Sequence, residues 1–377
     1  MLRHMELYLF DTCNQKCAYC SLAESGLVMD GSQLKPFHDP DFIHLISRFF
    51  LRRTSDTDKW LLSLTGGEPL LMPNLELFIN TIGSVGNKFA IYTALMVGES
   101  SPAYNYLLHG ASPHVDYIMA SFHAEAEKDI DKWFSRLLKL KDAGHTCIVR
   151  FVGHPNRLAL LPTLSAKCVE LNIAFYPTTL FSPEYPQNYS IAEIETLTSY
   201  FSTLSQVIQL NGGLDTSATK CLAGTSLFAV YLRTGNITPC ISVNGPILGN
   251  IYEDRLTPIN RLINCPSPSS ACSCDIHFQQ GVVLDADDTI LFKALKKGTS
   301  RPLNSAAAKS DLINRGHSFS KNRQQIGQTS NSRQLSLSNE FVRQAYTENL
   351  SSIRLSQVSE NHPVILKYLK ADDLLGN

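Results

Sequence analysis

No window of the 377-residue chain approaches the roughly 18 consecutive apolar residues of a membrane-crossing helix. The N-terminus, Met1-Leu2-Arg3-His4-Met5-Glu6, also lacks the apolar core of a signal peptide. No membrane association and a cytoplasmic location are the expectations. None of the 10 cysteines lies after Cys274 and their spacings are irregular, so without an export signal they argue for metal ligation over a disulfide framework. Large apolar side chains are scarce between residues 300 and 340, where 18 of 41 residues are Ser, Asn or Gln. That composition excludes a packed core there and predicts a flexible linker.

Apolar residues make up 44% of the chain, enough for a large core and more than one domain. The net charge of −1 conceals an asymmetry. Residues 1–290 carry 20 basic and 28 acidic side chains and residues 291–377 carry 13 and 6, so a body near −8 is joined to a tail near +7. Such a tail is expected to lie in solvent or on its own acidic body, and nucleic acid is not expected as a partner.

From residue 6 to about 182, short apolar runs alternate with longer helical patterns, which predicts a parallel α/β architecture. Six strands are expected, at 6–11, 60–65, 88–94, 115–122, 146–153 and 173–180. Asp129 to Ala143 has the apolar spacing of an amphipathic helix that stops at Gly144, and Arg157 to Leu171 reads as another. Residues 183–220 read as a helical bridge, with a pattern from Ile191 to Leu210. Helical patterning returns at Phe341 to Leu350 and at Pro363 to Leu375.

Directly after the first apolar run come Cys13, Cys17 and Cys20, three thiols within eight residues. A closed structural zinc site needs four protein ligands, whereas a [4Fe-4S] cluster held by three thiolates leaves one iron open to a small molecule. The spacing Cys-x3-Cys-x2-Cys, with Tyr19 before the third cysteine, resembles the radical S-adenosylmethionine (SAM) signature. A second run in the right place, Gly66-Gly67-Glu68-Pro69 at the end of the second strand, resembles that family's SAM-binding segment. Two glycines permit a close backbone approach and Pro69 stiffens the exit.

The resemblance implies that Cys13, Cys17 and Cys20 hold a [4Fe-4S] cluster whose open iron chelates SAM, and that Tyr19 lies near the adenine. Glu68 is then an acceptor for the SAM amine. The fold implied is a partial (β/α)6 TIM-type barrel over 1–182 with its site at the carboxyl ends of the strands. Ser121 and His123, ending strand four, then lie at its mouth, with Ser121 assigned to the SAM ribose. Arg150, the one charge in strand five, is expected to meet a carboxylate, that of SAM being one. Phe175-Tyr176-Pro177 offers a candidate adenine wall, and Cys147 and Cys168 fit no ligand spacing and read as buried apolar residues.

Residues 221–275 resemble the SPASM or twitch extension of that family: Cys221, a β-hairpin, Gly235-x4-Cys240, then Cys265, Cys272 and Cys274. The full SPASM set of seven cysteines is missing. One auxiliary [4Fe-4S] cluster is what the resemblance implies, held by Cys221, Cys240 and the Cys272/Cys274 pair, with Cys265 as competitor; a structural zinc is the alternative. The domains expected are the barrel (1–182), the bridge (183–220), a cysteine-rich β-hairpin domain (221–290) and a low-complexity polar tail (291–377) with one or two short helices.

The function implied is reductive SAM cleavage to a 5'-deoxyadenosyl radical and hydrogen abstraction from a small-molecule substrate, with an external flavodoxin- or ferredoxin-type electron donor. Peptide or protein side-chain modification is the alternative. The direct start at strand one, with no room for a leader-peptide-binding domain, weighs against that alternative. A non-catalytic iron–sulfur or zinc module is a third reading, against which Glu68 and Tyr19 speak.

Overall fold

The computed structural model describes residues 2–259, other than 16, 18, 21–30, 112, 125–126, 183, 187, 202–205, 207–209, 211–213, 216–219, 222 and 241–245, together with 263–264, 271–272 and 354–355. Strands and helices alternate as β1 (Leu2–Tyr8), α1 (Pro40–Leu51), β2 (Lys59–Thr65), α2 (Leu75–Gly83), β3 (Lys88–Thr93), α3 (Pro102–His109), β4 (Val115–Ser121), α4 (Ile130–Asp142), β5 (Cys147–Val152), α5 (Leu161–Glu170), β6 (Ala174–Thr178) and α6 (Ile191–Thr198). Shorter strands follow: β7 (Leu214–Asp215), β8 (Lys220–Cys221), β9 (Leu227–Tyr231), β10 (Asn236–Thr238), β11 (Gly249–Asn250), β12 (Arg255–Leu256), β13 (Ile263–Asn264), β14 (Ala271–Cys272) and β15 (Arg354–Leu355).

All six strands read from the sequence form, although β1 runs from Leu2 to Tyr8 and leaves the expected residues 9–11 outside it. The helix expected from Asp129 begins there because the Asp129 carboxylate accepts from the Lys132 N–H at 3.0 Å and caps it. The pattern from Arg157 splits into a 3-10 turn, Pro155–Leu160, and α5. The pattern from Ile191 gives α6 only to Thr198; beyond it Gln206 and Leu210 are helical among the described residues. The expected helices at 341–350 and 363–375 lie outside the described residues. None of the described helices is long and apolar enough to cross a membrane.

The chain divides into two compact units, one comprising Met1–Ile148 with Ala223–Arg261, the other Val149–Leu222 with the strands beyond Leu262. In the first unit β1, β2, β3 and β4 pair parallel in chain order. On the other edge of β1, β9 pairs parallel, with Tyr8 opposite Tyr231, and β10, β11 and β12 continue antiparallel. The hairpin that follows Cys221 therefore lies in the same sheet as β1.

The two faces of this sheet differ because side chains alternate along each strand. Met5, Leu7, Leu62, Leu64, Phe89, Ile91, Phe228 and Val230 are fully buried on one face. There Phe50 of α1 meets Trp60 edge-on at 5.6 Å and Phe78 of α2 meets Phe89 at 5.8 Å. Each such aromatic contributes about 1.5–3 kcal/mol on burial. The opposite face carries His4, Glu6, Tyr8, Ser63, Tyr117 and Tyr231, a polar set.

In the second unit the Gly153 N–H donates to the Thr178 carbonyl at 2.8 Å, setting the end of β5 beside that of β6. Tyr189 locks this corner, its hydroxyl donating to the Gly153 carbonyl at 2.7 Å and accepting from the Leu180 N–H at 2.9 Å. Further on, β7 pairs with β14 and β15, and β8 with β13. Cys147 and Cys168 are buried, as their apolar reading requires.

On the polar face His4 Nε2 bonds the Ser63 hydroxyl at 2.7 Å, and complete burial pushes its imidazole pKa down to about 4. Folded protein thus stays unprotonated there while unfolded chain binds a proton below about pH 6.5, so stability falls as pH drops toward 4. Guanidinium unfolding at pH 7 and pH 4 is expected to show wild type losing about 3 kcal/mol more than His4→Gln. Equal losses would show that His4 does not carry this dependence.

Candidate functional site

The C-terminal ends of β1 to β4 share one edge of the first unit because these strands are parallel. The loop after β1 carries the three cysteines. Its entry is fixed by the Leu9 N–H donating to the Thr65 carbonyl at 3.1 Å and by buried Phe10, which packs edge-on against Phe37 at 5.5 Å. The Cys20 N–H donates to the Cys17 carbonyl at 3.0 Å, so these two cysteines share one tight turn. Cys17 is buried, and Cys13 and Cys20 are half-buried free thiols.

Burial pushes the Cys13 thiol up to about 11, and the charges of Glu68, Cys17 and Cys20 add to this, against one N–H from Gln15 at 3.4 Å. Three thiolates and a carboxylate repel one another without a cation among them, whereas a bound metal centre favours the deprotonated thiols. This donor set suits an iron–sulfur cluster. Among the described residues, no group of three or more His, Cys, Asp or Glu side chains stands together at metal-binding closeness.

The Gly66-Gly67 pair serves this loop directly. Gly67 N–H donates to the Phe10 carbonyl at 2.7 Å and Glu68 N–H to the Thr12 carbonyl at 3.0 Å. A Cβ on Gly66, whose φ is +122°, would lie 2.4 Å from the Phe10 oxygen, and one on Gly67 would lie 1.8 Å from the Thr12 oxygen. The close approach anticipated for these glycines is thus made to the backbone that leads into Cys13.

Glu68 is buried at 1% exposure and already holds three protein donors. Its Oε1 accepts from the Leu70 N–H at 3.0 Å and the Thr93 hydroxyl at 2.6 Å, and its Oε2 from the Ala94 N–H at 2.8 Å. Burial raises its pKa while these three bonds lower it, with a net rise. Pro69 opens the short 3-10 turn Pro69–Leu71 that Glu68 caps.

Sequence reasoning missed the loop after β3, which connects these parts. Leu95 is buried in the left-handed region at φ 58°, with its N–H held by Thr93 Oγ1 at 2.8 Å. The Ala94 carbonyl accepts from the Trp133 indole of α4 at 3.0 Å, and the Met96 carbonyl accepts from the Asn14 amide at 2.8 Å. The only sequence signal was that Thr93 ends a strand beside the second motif's strand, and that needs the register.

At the end of β4, Ser121 is half-buried, and the His123 imidazole Nδ1 bonds the Tyr19 hydroxyl with their rings stacked at 5.8 Å. Of the remaining candidates, Arg150 is half-buried on β5 in the second unit. Cys221 pairs in register with Ile263 and Cys272 with Leu214, also in the second unit. Cys240 is half-buried after β10 in the first unit. Cys265 and Cys274 lie outside the described residues.

Two substitutions test this construction. Gly67→Ala drives a methyl into the Thr12 carbonyl, so it is expected to cost about 1–3 kcal/mol of stability and to impair iron uptake during reconstitution. Glu68→Gln turns an amide donor toward N–H and O–H donors, leaving a buried polar group unsatisfied at about 1–3 kcal/mol. Guanidinium unfolding of both variants measures the loss, and an unchanged midpoint in either removes the corresponding contact from the argument.

No protein-family model and no curated protein matches the chain. Solved structures do. One is Streptococcus suis SuiB bound to S-adenosylmethionine, at TM-score 0.46 and 17% identity over 67% of this chain and 62% of that one. SuiB bound to its precursor peptide SuiA gives TM-score 0.48 and 17% identity over 67% and 63%. Native anSMEcpe with bound AdoMet gives TM-score 0.48 and 15% identity over 67% and 79%. The chain thus spans less than two thirds of the length of SuiB.

Proposed function

We propose that this protein is a radical SAM enzyme with a partial barrel over residues 1–182 and a [4Fe-4S] cluster held through Cys13, Cys17 and Cys20 in the first unit. The observation that carries the reading is the direct backbone bonding between the cysteine loop and the Gly66-Gly67 turn, at 2.7 and 3.0 Å, made possible by two positions without a Cβ. Two motifs far apart in the chain meet at the ends of adjacent parallel strands, as a cluster and its SAM require. When bound, these groups supply reductive cleavage of SAM and hydrogen-atom abstraction from a C–H bond.

The chain's own residues divide the remaining work. Cys13, Cys17 and Cys20 leave one iron unligated for SAM. Gly66, Gly67 and Pro69 are assigned to the SAM-binding segment and Ser121 to the SAM ribose, with Tyr19 near the adenine. Glu68 reaches the cofactor chiefly by fixing the loop after β3, since its oxygens are engaged by Leu70, Thr93 and Ala94. Arg150 is assigned to a carboxylate of SAM or of the substrate. Cys221, Cys240, Cys272 and Cys274, with Cys265 as competitor, are assigned to one auxiliary [4Fe-4S] cluster, and a flavodoxin- or ferredoxin-type donor supplies the electron.

A peptide or protein side chain stands first as substrate and a free small molecule second. The SuiB and anSMEcpe structures with bound peptides are a lead to which compounds to try first.

Reconstituted wild type is expected to hold about eight irons, and replacing Cys13, Cys17 and Cys20 together by Ala is expected to remove about four of them. The same variant is expected to release no 5'-deoxyadenosine from SAM under reduction. Retained 5'-deoxyadenosine would sink the cluster assignment. About four irons with one zinc in wild type would replace the auxiliary cluster by a structural zinc site. Mass-spectrometric loss of hydrogen from added peptides, against added small alcohols, separates the two substrate classes.

A further inference from the structure

The contact between Tyr19 and His123 joins residues from two distant parts of the chain, and the function proposed above assigns His123 nothing. Tyr19 lies inside the turn that carries both Cys17 and Cys20, closed by the Cys20 N–H on the Cys17 carbonyl at 3.0 Å. That turn is short. His123, by contrast, stands on a fixed base. Phe122 before it is buried at 1% exposure and packs edge-on against Trp133 at 5.3 Å, and the His123 carbonyl accepts from the Glu127 N–H at 3.1 Å. Because neighbouring side chains alternate at a strand end, anchoring Phe122 in the helix layer turns His123 to the opposite, site-bearing side.

Tyr19 is thereby held twice, by the hydrogen bond between its hydroxyl and Nδ1 and by a ring stacked at 5.8 Å and 26°. A side chain fixed at both its tip and its face restricts the backbone that bears it. Here that backbone separates two of the three proposed ligands. A ligand pair held in place before metal arrives loses less conformational freedom on binding, and iron leaves such a site more slowly.

We infer that His123 is a positioning residue that acts through Tyr19 to fix the Cys17–Cys20 turn ahead of cluster binding. The inference rests on the proposed cluster at Cys13, Cys17 and Cys20, but not on the substrate.

The test is the rate at which reconstituted, reduced protein gives up iron to bathophenanthroline disulfonate, with the rate of the triple cysteine variant subtracted. Tyr19→Phe and His123→Phe each remove the hydrogen bond and keep an aromatic ring, and each is expected to speed iron release about three- to tenfold. The double variant is expected to be no faster than the faster single one. His123→Gln, which can still bond the phenol, is expected to restore release to near the wild-type rate. A role of His123 in general packing would not give this non-additivity, nor be rescued by Gln.

Unchanged release in both single variants, or rates that multiply in the double variant, overturns the inference while leaving the cluster assignment standing. Wild-type protein that takes up no iron at the cysteine loop overturns both.

Discussion

A buried carboxylate with three donors on it holds the functional edge of the first unit together. Glu68 caps the short turn after β2 and, through Thr93 and Ala94, grips the end of β3. Taking such a group out of water is unfavourable unless its lone pairs are met, and here the protein itself meets them. The left-handed Leu95, the Trp133 indole on the Ala94 carbonyl and the Asn14 amide on the Met96 carbonyl all follow from where that grip places the loop after β3. The cysteine loop is thus supported from two sides, by Gly67 in the turn after β2 and by Met96 in the loop after β3.

Much of this was legible beforehand. The six strands declared themselves as apolar runs, and the two motifs fell where such strands end, since both signals are local. What could not be read were contacts set by register. The glycine pair advertised a close approach, but not that the partner would be the carbonyls of Phe10 and Thr12. Glu68 was legible as an acceptor, whereas its donors Thr93 and Ala94 lie one strand over and have no marker in the sequence. His123 read as a rim residue because nothing in its neighbourhood names Tyr19. The hairpin after Cys221 was recognised by its turn, yet its attachment beside β1 depends on a parallel pairing between residues 223 positions apart in the chain.

The electrostatics of the cysteine loop explain why its chemistry depends on what it binds. Burial and three neighbouring negative groups hold Cys13 in its protonated form. A loop of this kind is poor at being a lone reactive thiol and suited to gaining its charge together with a metal centre. That contrasts with Cys147, where burial alone raises the pKa and no partner thiol lies in the sequence nearby. Position within one fold therefore separates a cysteine that packs alone from a cysteine set among other acidic groups.

The parallel pairing of β9 with β1 bears on how the protein matures. β1 is an interior strand only once residues 227–231 have arrived to cover its second edge. During synthesis the segment leading to the cysteines would emerge first and wait, one edge bare, while most of the sheet is still to be made. Contacts so distant in sequence close slowly, since a long loop must be ordered before they are rewarded. Iron delivered early in translation would meet thiols on an unfinished sheet, so loading of the proposed cluster would fall at the end of folding.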